Sequence, residues 1–276
     1  MASQPRQLGV RTLSACLFVP AVLALTWLGG LPLAALVAAI VGRGAWEFYR
    51  MAAARQLRPD AGLGVALSLG AVAWMAWRGE AGLALVLVGL VVVILAAALR
   101  HGVESYGADT LTTLGGVLYV GLLGSAPLLI ERLTPGAGPL MALIFASIWL
   151  ADAAAYLGGS RWGGRRLIPR ISPGKTVVGF ACGCVAGLVP ALAHGRLPGM
   201  ELTGMGLPHL VGLLALVSVG GQVGDLVESA FKRYAGVKDA PALIPGHGGV
   251  LDRFDSYLFA FPLAYLYLAA LAALAP

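Results

Sequence analysis

The sequence predicts an all-α fold, a polytopic integral membrane helical bundle of about nine transmembrane helices. Three observations carry that expectation. The chain is 59% hydrophobic and only 12% of its 276 residues are charged. Its mean hydropathy is +0.85. Its long apolar runs are rich in Ala, Leu and Gly and lack the period-2 alternation of a membrane barrel. A soluble domain averages about 45–50% apolar and about 25% charged residues, so a water-soluble globular protein is excluded.

Runs of about 20 apolar residues can cross the hydrocarbon core as helices. Nine stand out: 12–30, 31–49, 62–77, 81–99, 111–130, 137–157, 176–193, 207–228 and 254–275. Arg6 and Arg11 flank the first. Leu13-Ser14-Ala15-Cys16 imitates a lipoprotein processing box, but a cleaved signal places its apolar stretch before the cysteine. Here the stretch follows, so a retained span is expected. Cys16, Cys182 and Cys184 lie in apolar runs and are odd in number, which argues for small buried thiols rather than a disulfide or zinc framework.

With the N-terminus in the cytoplasm, nine spans leave only Arg78, Arg132 and Arg196 of the 19 basic residues on the far side. Positive residues resist translocation, so this split supports both the count and the orientation. The expected location is a bacterial-type inner (cytoplasmic) membrane, multi-pass, with the charged face in the cytoplasm. The basic face suits anionic lipid head groups and nucleotides, and no nucleic acid partner is expected. Residues 1–136 form an N-terminal half of about five transmembrane helices, and 137–276 a C-terminal half with cytoplasmic-side motif loops. The first half is bland. Its Glu47, in "GAWEFYR", reads as an interfacial carboxylate paired to Arg50 at i+3.

Two charged segments of the second half carry the chemistry. In the first, Trp149–Thr176, Asp152 is near a span end, where an ionised side chain is costly and is by default a functional candidate. Neutralisation by Arg161 or Arg165 is the equal alternative. In "SPGKT", Ser172 can cap a helix with Pro173 at its first position, so that Lys175 and free backbone N–H groups face one anion. A P-loop is excluded, because Pro169 stands where that motif needs glycine.

In the second segment, Asp225, Glu228, Ser229 and Lys232 fall at i, i+3, i+4 and i+7, on one face of a helix that continues a membrane span. A loop with Pro241 and Pro245 leads to Gly246-His247-Gly248-Gly249, whose glycines let backbone N–H groups approach a phosphate. Asp252, Asp255 and Ser256 then head the last helix. Carboxylates beside phosphate ligands are how Mg²⁺ is held, with water completing the octahedron. Asp225 and Asp252 are the expected ligands, and Asp255 and Asp152 the auxiliary ones.

The stretch "SAFKRYAGVKDAPALIPGHGGVLDRFDS", 229–256, resembles the signature of the phosphatidate cytidylyltransferase (CDP-diacylglycerol synthase) family. "DAAAYLGG" and "ISPGKT" resemble its companion motifs in the expected order. The resemblance implies a membrane nucleotidyltransferase that converts CTP and phosphatidate to CDP-diacylglycerol and pyrophosphate, with Mg²⁺ and room for a second divalent or a monovalent cation. It implies catalytic roles for Asp225, Asp252, Lys232, Arg233 and His247. Substrate or phosphate contacts would fall to Ser172, Lys175, Ser229, Lys238, Gly246, Gly248, Gly249 and Arg253. The partners implied are CTP, phosphatidate and the lipid bilayer; a homodimer is left open. Gly174, Val177, Val178 and Pro241 depart from the family pattern as substitutions near the substrate loops. The alternative function is a transporter or channel for an anionic solute, which predicts ionisable residues at mid-membrane depth and broken helices.

Overall fold

The computed structural model describes residues 19–99, 103, 106–193, 196, 205–241 and 248–274. These are almost entirely helical. Helices α1 (Val19–Leu28) and α2 (Gly30–Ala54) are separated by Gly29 and Gly30, whose φ angles of 63° and 50° break the helix at the expected point. Helix α3 (Ala61–Arg78) starts where the Asp60 carboxylate accepts the N–H of Leu63 at 3.0 Å. It ends at Gly79, and Gly82 in the left-handed region turns the chain into α4 (Leu83–Ala98).

Helices α5 (Tyr106–Gly116) and α6 (Ala126–Leu133) form one span joined by a π-helical segment, Val117–Leu122. Helix α7 (Gly138–Trp162) runs into a short antiparallel hairpin, β1 (Arg166–Ile168) and β2 (Ser172–Thr176). Then follow α8 (Val177–Ala186), a 3₁₀ turn (Val189–Ala193) and the long α9 (Leu207–Ala235). Gly236, left-handed at φ 75°, closes α9. Helices α10 (Leu251–Phe254) and α11 (Tyr257–Leu274) make the last span.

Among the described residues, six helices are long and apolar enough to cross a membrane: Gly30–Ala54, Ala61–Arg78, Tyr106–Leu133, Gly138–Trp162, Leu207–Ala235 and Leu251–Leu274. The remaining three expected spans fall on shorter apolar helices, Val19–Leu28, Leu83–Ala98 and Val177–Leu192. At about 1.5 Å per residue, the 16 residues of α4 rise about 24 Å, less than the roughly 30 Å hydrocarbon core.

Packing is by small residues and aromatic inserts. Helix α8 presents Gly179, Gly183 and Gly187 at four-residue intervals. A Cβ at Gly179 would lie 2.6 Å from the Ala155 carbonyl oxygen, and one at Gly183 2.9 Å from that of Ala151, so α8 can touch the α7 backbone. The Tyr49 ring fills the space left by Gly64 and Gly116, and its hydroxyl donates to the Thr113 carbonyl at 2.8 Å. One core cluster joins residues of α1, α2, α3, α6, α7, α9 and α11. A second, with Ala45, Phe48, Tyr49 and Met51 of α2, reaches Leu251 and Leu258. Within it Phe48 stacks on Phe231 of α9 with centroids 4.3 Å apart. This second cluster is the floor of the charged site. Cys182 and Cys184 are unpaired thiols, partly rather than fully buried; Cys16 lies outside the described residues.

Candidate active site

Three pieces of chain converge on one charged seam: the hairpin, the last turns of α9, and the head of α10. The helical face expected on α9 is formed. Ser229 Oγ donates to Asp225 Oδ1 at 3.3 Å, and four residues on, Lys232 Nζ reaches Glu228 Oε2 at 2.5 Å. Lys232 also contacts Asp252 Oδ1 at 2.6 Å. The other oxygen of Asp252 accepts the backbone N–H groups of Ala240 and Gly249, both at 2.9 Å. Glu228 is fully buried, and the Lys232 and Asp252 side chains are 13% and 14% exposed.

Lys175, on β2, pairs with Asp225 Oδ2 at 2.5 Å, and this pair is open, at 28% and 34% exposed. Arg233 Nε donates to the Ile171 carbonyl at 3.3 Å, which ties α9 to the hairpin. Asp255 is buried, and its Oδ1 accepts the Ser256 N–H at 2.6 Å. Asp152 is exposed on α7, within electrostatic range of Asp225 and Lys175. Among the described residues it makes no ion pair with Arg161 or Arg165, and the Arg161 guanidinium lies over the Trp162 ring. Gly248 adopts φ 73°, and Lys238 and Arg253 are exposed. Gly246 and His247 lie outside the described residues.

Two expectations are corrected. Ser172 does not cap a helix. Residues 172–176 pair with β1, with Ser172 opposite Ile168 and Thr176 opposite Arg166. The cap is Thr176, in extended conformation, whose Oγ1 accepts the Gly179 N–H at 3.0 Å. Hairpin pairing holds Pro173 and Gly174 in strand geometry, so the helix starts four residues later than the Ser-Pro pattern suggests. Lys175 consequently projects from a strand beside α9 rather than from a helix N-terminus.

The second correction concerns Glu47. Its partner is Arg43, whose Nε lies 2.8 Å from Glu47 Oε1, while the Arg50 guanidinium sits 5.5 Å from the Trp46 ring. Glu47 is not interfacial but fully buried, and its Oε2 accepts the Leu251 N–H at 2.8 Å. The i, i+4 spacing of Arg43 and Glu47 is legible in the sequence; the 204-residue separation from Leu251 hides the consequence.

Along the seam lie five carboxylates, Asp152, Asp225, Glu228, Asp252 and Asp255, with Lys175, Lys232 and Arg233 among them. Glu228 Oε1 and the Tyr119 hydroxyl are buried with no hydrogen-bond partner among the described residues. No three His, Cys, Asp or Glu groups come close enough to enclose a metal by themselves among those residues. Mg²⁺ needs no such cage, because one or two carboxylates with water and substrate phosphates suffice. The all-oxygen donor set and the orphaned Glu228 oxygen therefore fit a hard cation.

Residues 9–271 match the cytidylyltransferase family. Over 119 residues the chain is 47% identical to a phosphatidate cytidylyltransferase of Staphylococcus aureus (strain COL), covering 43% of this chain and 45% of that protein. Over 124 residues it is 48% identical to a phosphatidate cytidylyltransferase of Bacillus subtilis (strain 168), covering 44% of each. These matches span less than half the length of those relatives. The chain belongs to the cytidylyltransferase family.

Proposed function

We propose, with family membership as the premise, that this enzyme joins CTP and phosphatidate to give CDP-diacylglycerol and pyrophosphate at a membrane surface. The observation that carries the reading is the meeting of the open Lys175–Asp225 pair with the buried Lys232–Glu228–Asp252 group at the mouth of the glycine-rich loop. A lipid phosphate oxygen attacks the α-phosphorus of CTP, and the bond from that phosphorus to the bridging oxygen breaks. The nucleophile is already anionic, so neither a serine nor a strong base is required. The difficulty is bringing two polyanions together and absorbing the charge that collects on the pyrophosphate.

Lys175 is suited to that work. It uses one carboxylate partner, and an ammonium has three donors, so it can turn to a phosphate without leaving an aspartate buried. Arg233, from the last turn of α9, reaches the same hairpin at the Ile171 carbonyl. Lys232 is already held by two carboxylates, and its role is to keep Asp252 in place. Asp225 and Asp252 are the proposed Mg²⁺ ligands, with Asp255 and Asp152 auxiliary. Asp252 would offer the second lone pair of Oδ1, because both its oxygens already accept hydrogen bonds. When bound, the cation neutralises charge on the phosphate oxygens. A second divalent or monovalent cation beside Glu228 Oε1 belongs to the same proposal.

The nine-helix arrangement, a cytoplasmic active site, an inner-membrane location and a lipid-facing route for the acyl chains are parts of this reading. Reagent access to cysteines placed at 165 and 238, in a background without native thiols, tests the orientation. Labelling from outside intact cells would put the site on the wrong face. Family membership and the gathering of charge at helix ends favour an enzyme over an anion transporter. The decisive test is CDP-diacylglycerol formation by purified protein from labelled CTP and phosphatidate across a Mg²⁺ titration. Folded protein that forms no product at any Mg²⁺ concentration would refute the activity.

A further inference from the structure

We infer that Glu47, with Arg43, is a positioning residue of this active site: the pair clasps both stems of the glycine–histidine loop and thereby sets where Asp252 stands. The inference rests on the proposed reading of the site and draws its residues from the half of the chain that carries no motif.

The geometry is a clasp from two sides. Arg43 donates from a terminal guanidinium nitrogen to the Pro241 carbonyl at 3.2 Å and from Nε to Glu47 at 2.8 Å. Glu47 in turn accepts the Leu251 N–H. Pro241 is the last described residue before the loop, and Gly248 the first after it. One ion pair on α2 thus holds the chain entering the loop by a carbonyl and the chain leaving it by an N–H. Asp252 closes the opposite side, accepting from Ala240 on the entering stem and Gly249 on the leaving one. The two clasps meet at Gly249, where a Cβ would come within 2.5 Å of Glu47 Oε2 and 2.6 Å of the Ala240 Cβ. Gly249 is therefore a glycine because two elements press on it.

A charge at this position needs a reason. Its neighbours Ala45, Phe48, Tyr49 and Met51 belong to an apolar cluster, and well-packed apolar residues often replace a buried ion pair with no loss of stability. What an apolar side chain cannot do is accept an N–H and, through Arg43, donate to a carbonyl on the other stem. The value of the pair lies in direction. It fixes the spacing of the stems, and that spacing fixes Asp252 relative to Lys232.

The test uses the full-length purified protein with Glu47→Ala, Glu47→Gln, Arg43→Gln, the double Glu47→Gln/Arg43→Gln and Gly249→Ala, each read two ways. Hydrogen exchange over 236–254 should quicken about tenfold or more in Glu47→Ala and Gly249→Ala, while exchange in α7 stays as it was. Turnover per folded protein should fall about 10–100-fold, the range for groups that orient a functional side chain, with kcat reduced and KM for phosphatidate little changed. Glu47→Gln keeps an acceptor for Leu251 and should lose least. The double variant should lose no more than the worse single, since either change opens the same clasp. A lower unfolding temperature with unchanged kcat per folded protein would make Glu47 merely structural and overturn the inference, as would unchanged exchange over 236–254. Should Glu47→Ala fail to fold, Glu47→Gln and Gly249→Ala decide the matter. If wild-type protein makes no CDP-diacylglycerol, the proposed activity falls, and the exchange arm alone upholds or overturns the clasp.

Discussion

Lys232 and Lys175 each touch an aspartate of the seam at nearly the same distance, 2.6 and 2.5 Å, yet the two contacts differ in kind. Lys232 lies between two carboxylates, one of them fully buried, at the floor of the site. Lys175 stands on a hairpin with a single half-exposed partner. An exposed pair contributes about 0–1 kcal/mol and is easily exchanged. A buried pair resists exchange because removing one member strands a charge in a poor dielectric. The comparison separates two tasks that a list of basic residues would merge: the floor sets geometry, and the hairpin handles ligand.

The largest effect should come from the floor. Lys232→Met leaves Glu228 and Asp252 facing each other without a cation, and breaking a buried pair in this way costs about 3–5 kcal/mol. Folded yield and unfolding temperature in detergent should fall sharply, with activity lost alongside. A variant as stable as wild type would erase the distinction between the two lysines.

Asp225→Asn should act in the opposite manner. Its pair is half-exposed, so the unfolding temperature should hold, while CDP-diacylglycerol formation falls about 10²-fold or more, as for loss of a major electrostatic contact. A stability loss matching that of Lys232→Met would show that both pairs are structural.

Lys175→Gln should be milder, about tenfold in kcat/KM for CTP or phosphatidate, as expected for one charge-assisted hydrogen bond. Unchanged kcat/KM for both substrates would reduce Lys175 to a topology signal. The smallest effect concerns the hairpin itself. Thr176→Ala should cost about 1 kcal/mol as a lost helix cap and lower the unfolding temperature slightly, whereas Ser172→Ala should leave it unchanged. The reverse order would return the cap to Ser172.

Much of this is legible in the sequence. Asp225, Glu228, Ser229 and Lys232 share a face because helical periodicity is local, and the two contacts along that face follow from four-residue spacing. Gly29 and Gly30 mark the end of the first apolar helix for an equally local reason. The hairpin escapes such a reading because Ser-Pro suits a helix start as well as a strand, and only pairing with residues 166–168 decides between them. Glu47 escapes it because two arginines compete for the carboxylate at helical spacing, and the choice depends on what α2 faces.

By itself the sequence determined that this chain is a helical bundle with charge confined to a few segments, since a bilayer leaves the backbone few other ways to satisfy its hydrogen bonds. It also determined which residues share a helical face. Tertiary structure alone decided which charges are buried and which are free. Burial depends on which helices meet, and the meeting of α2 with the head of α10 is made by Glu47 and a backbone N–H 204 residues away. Hydropathy and spacing report only what a residue's near neighbours are, and no local pattern encodes that contact.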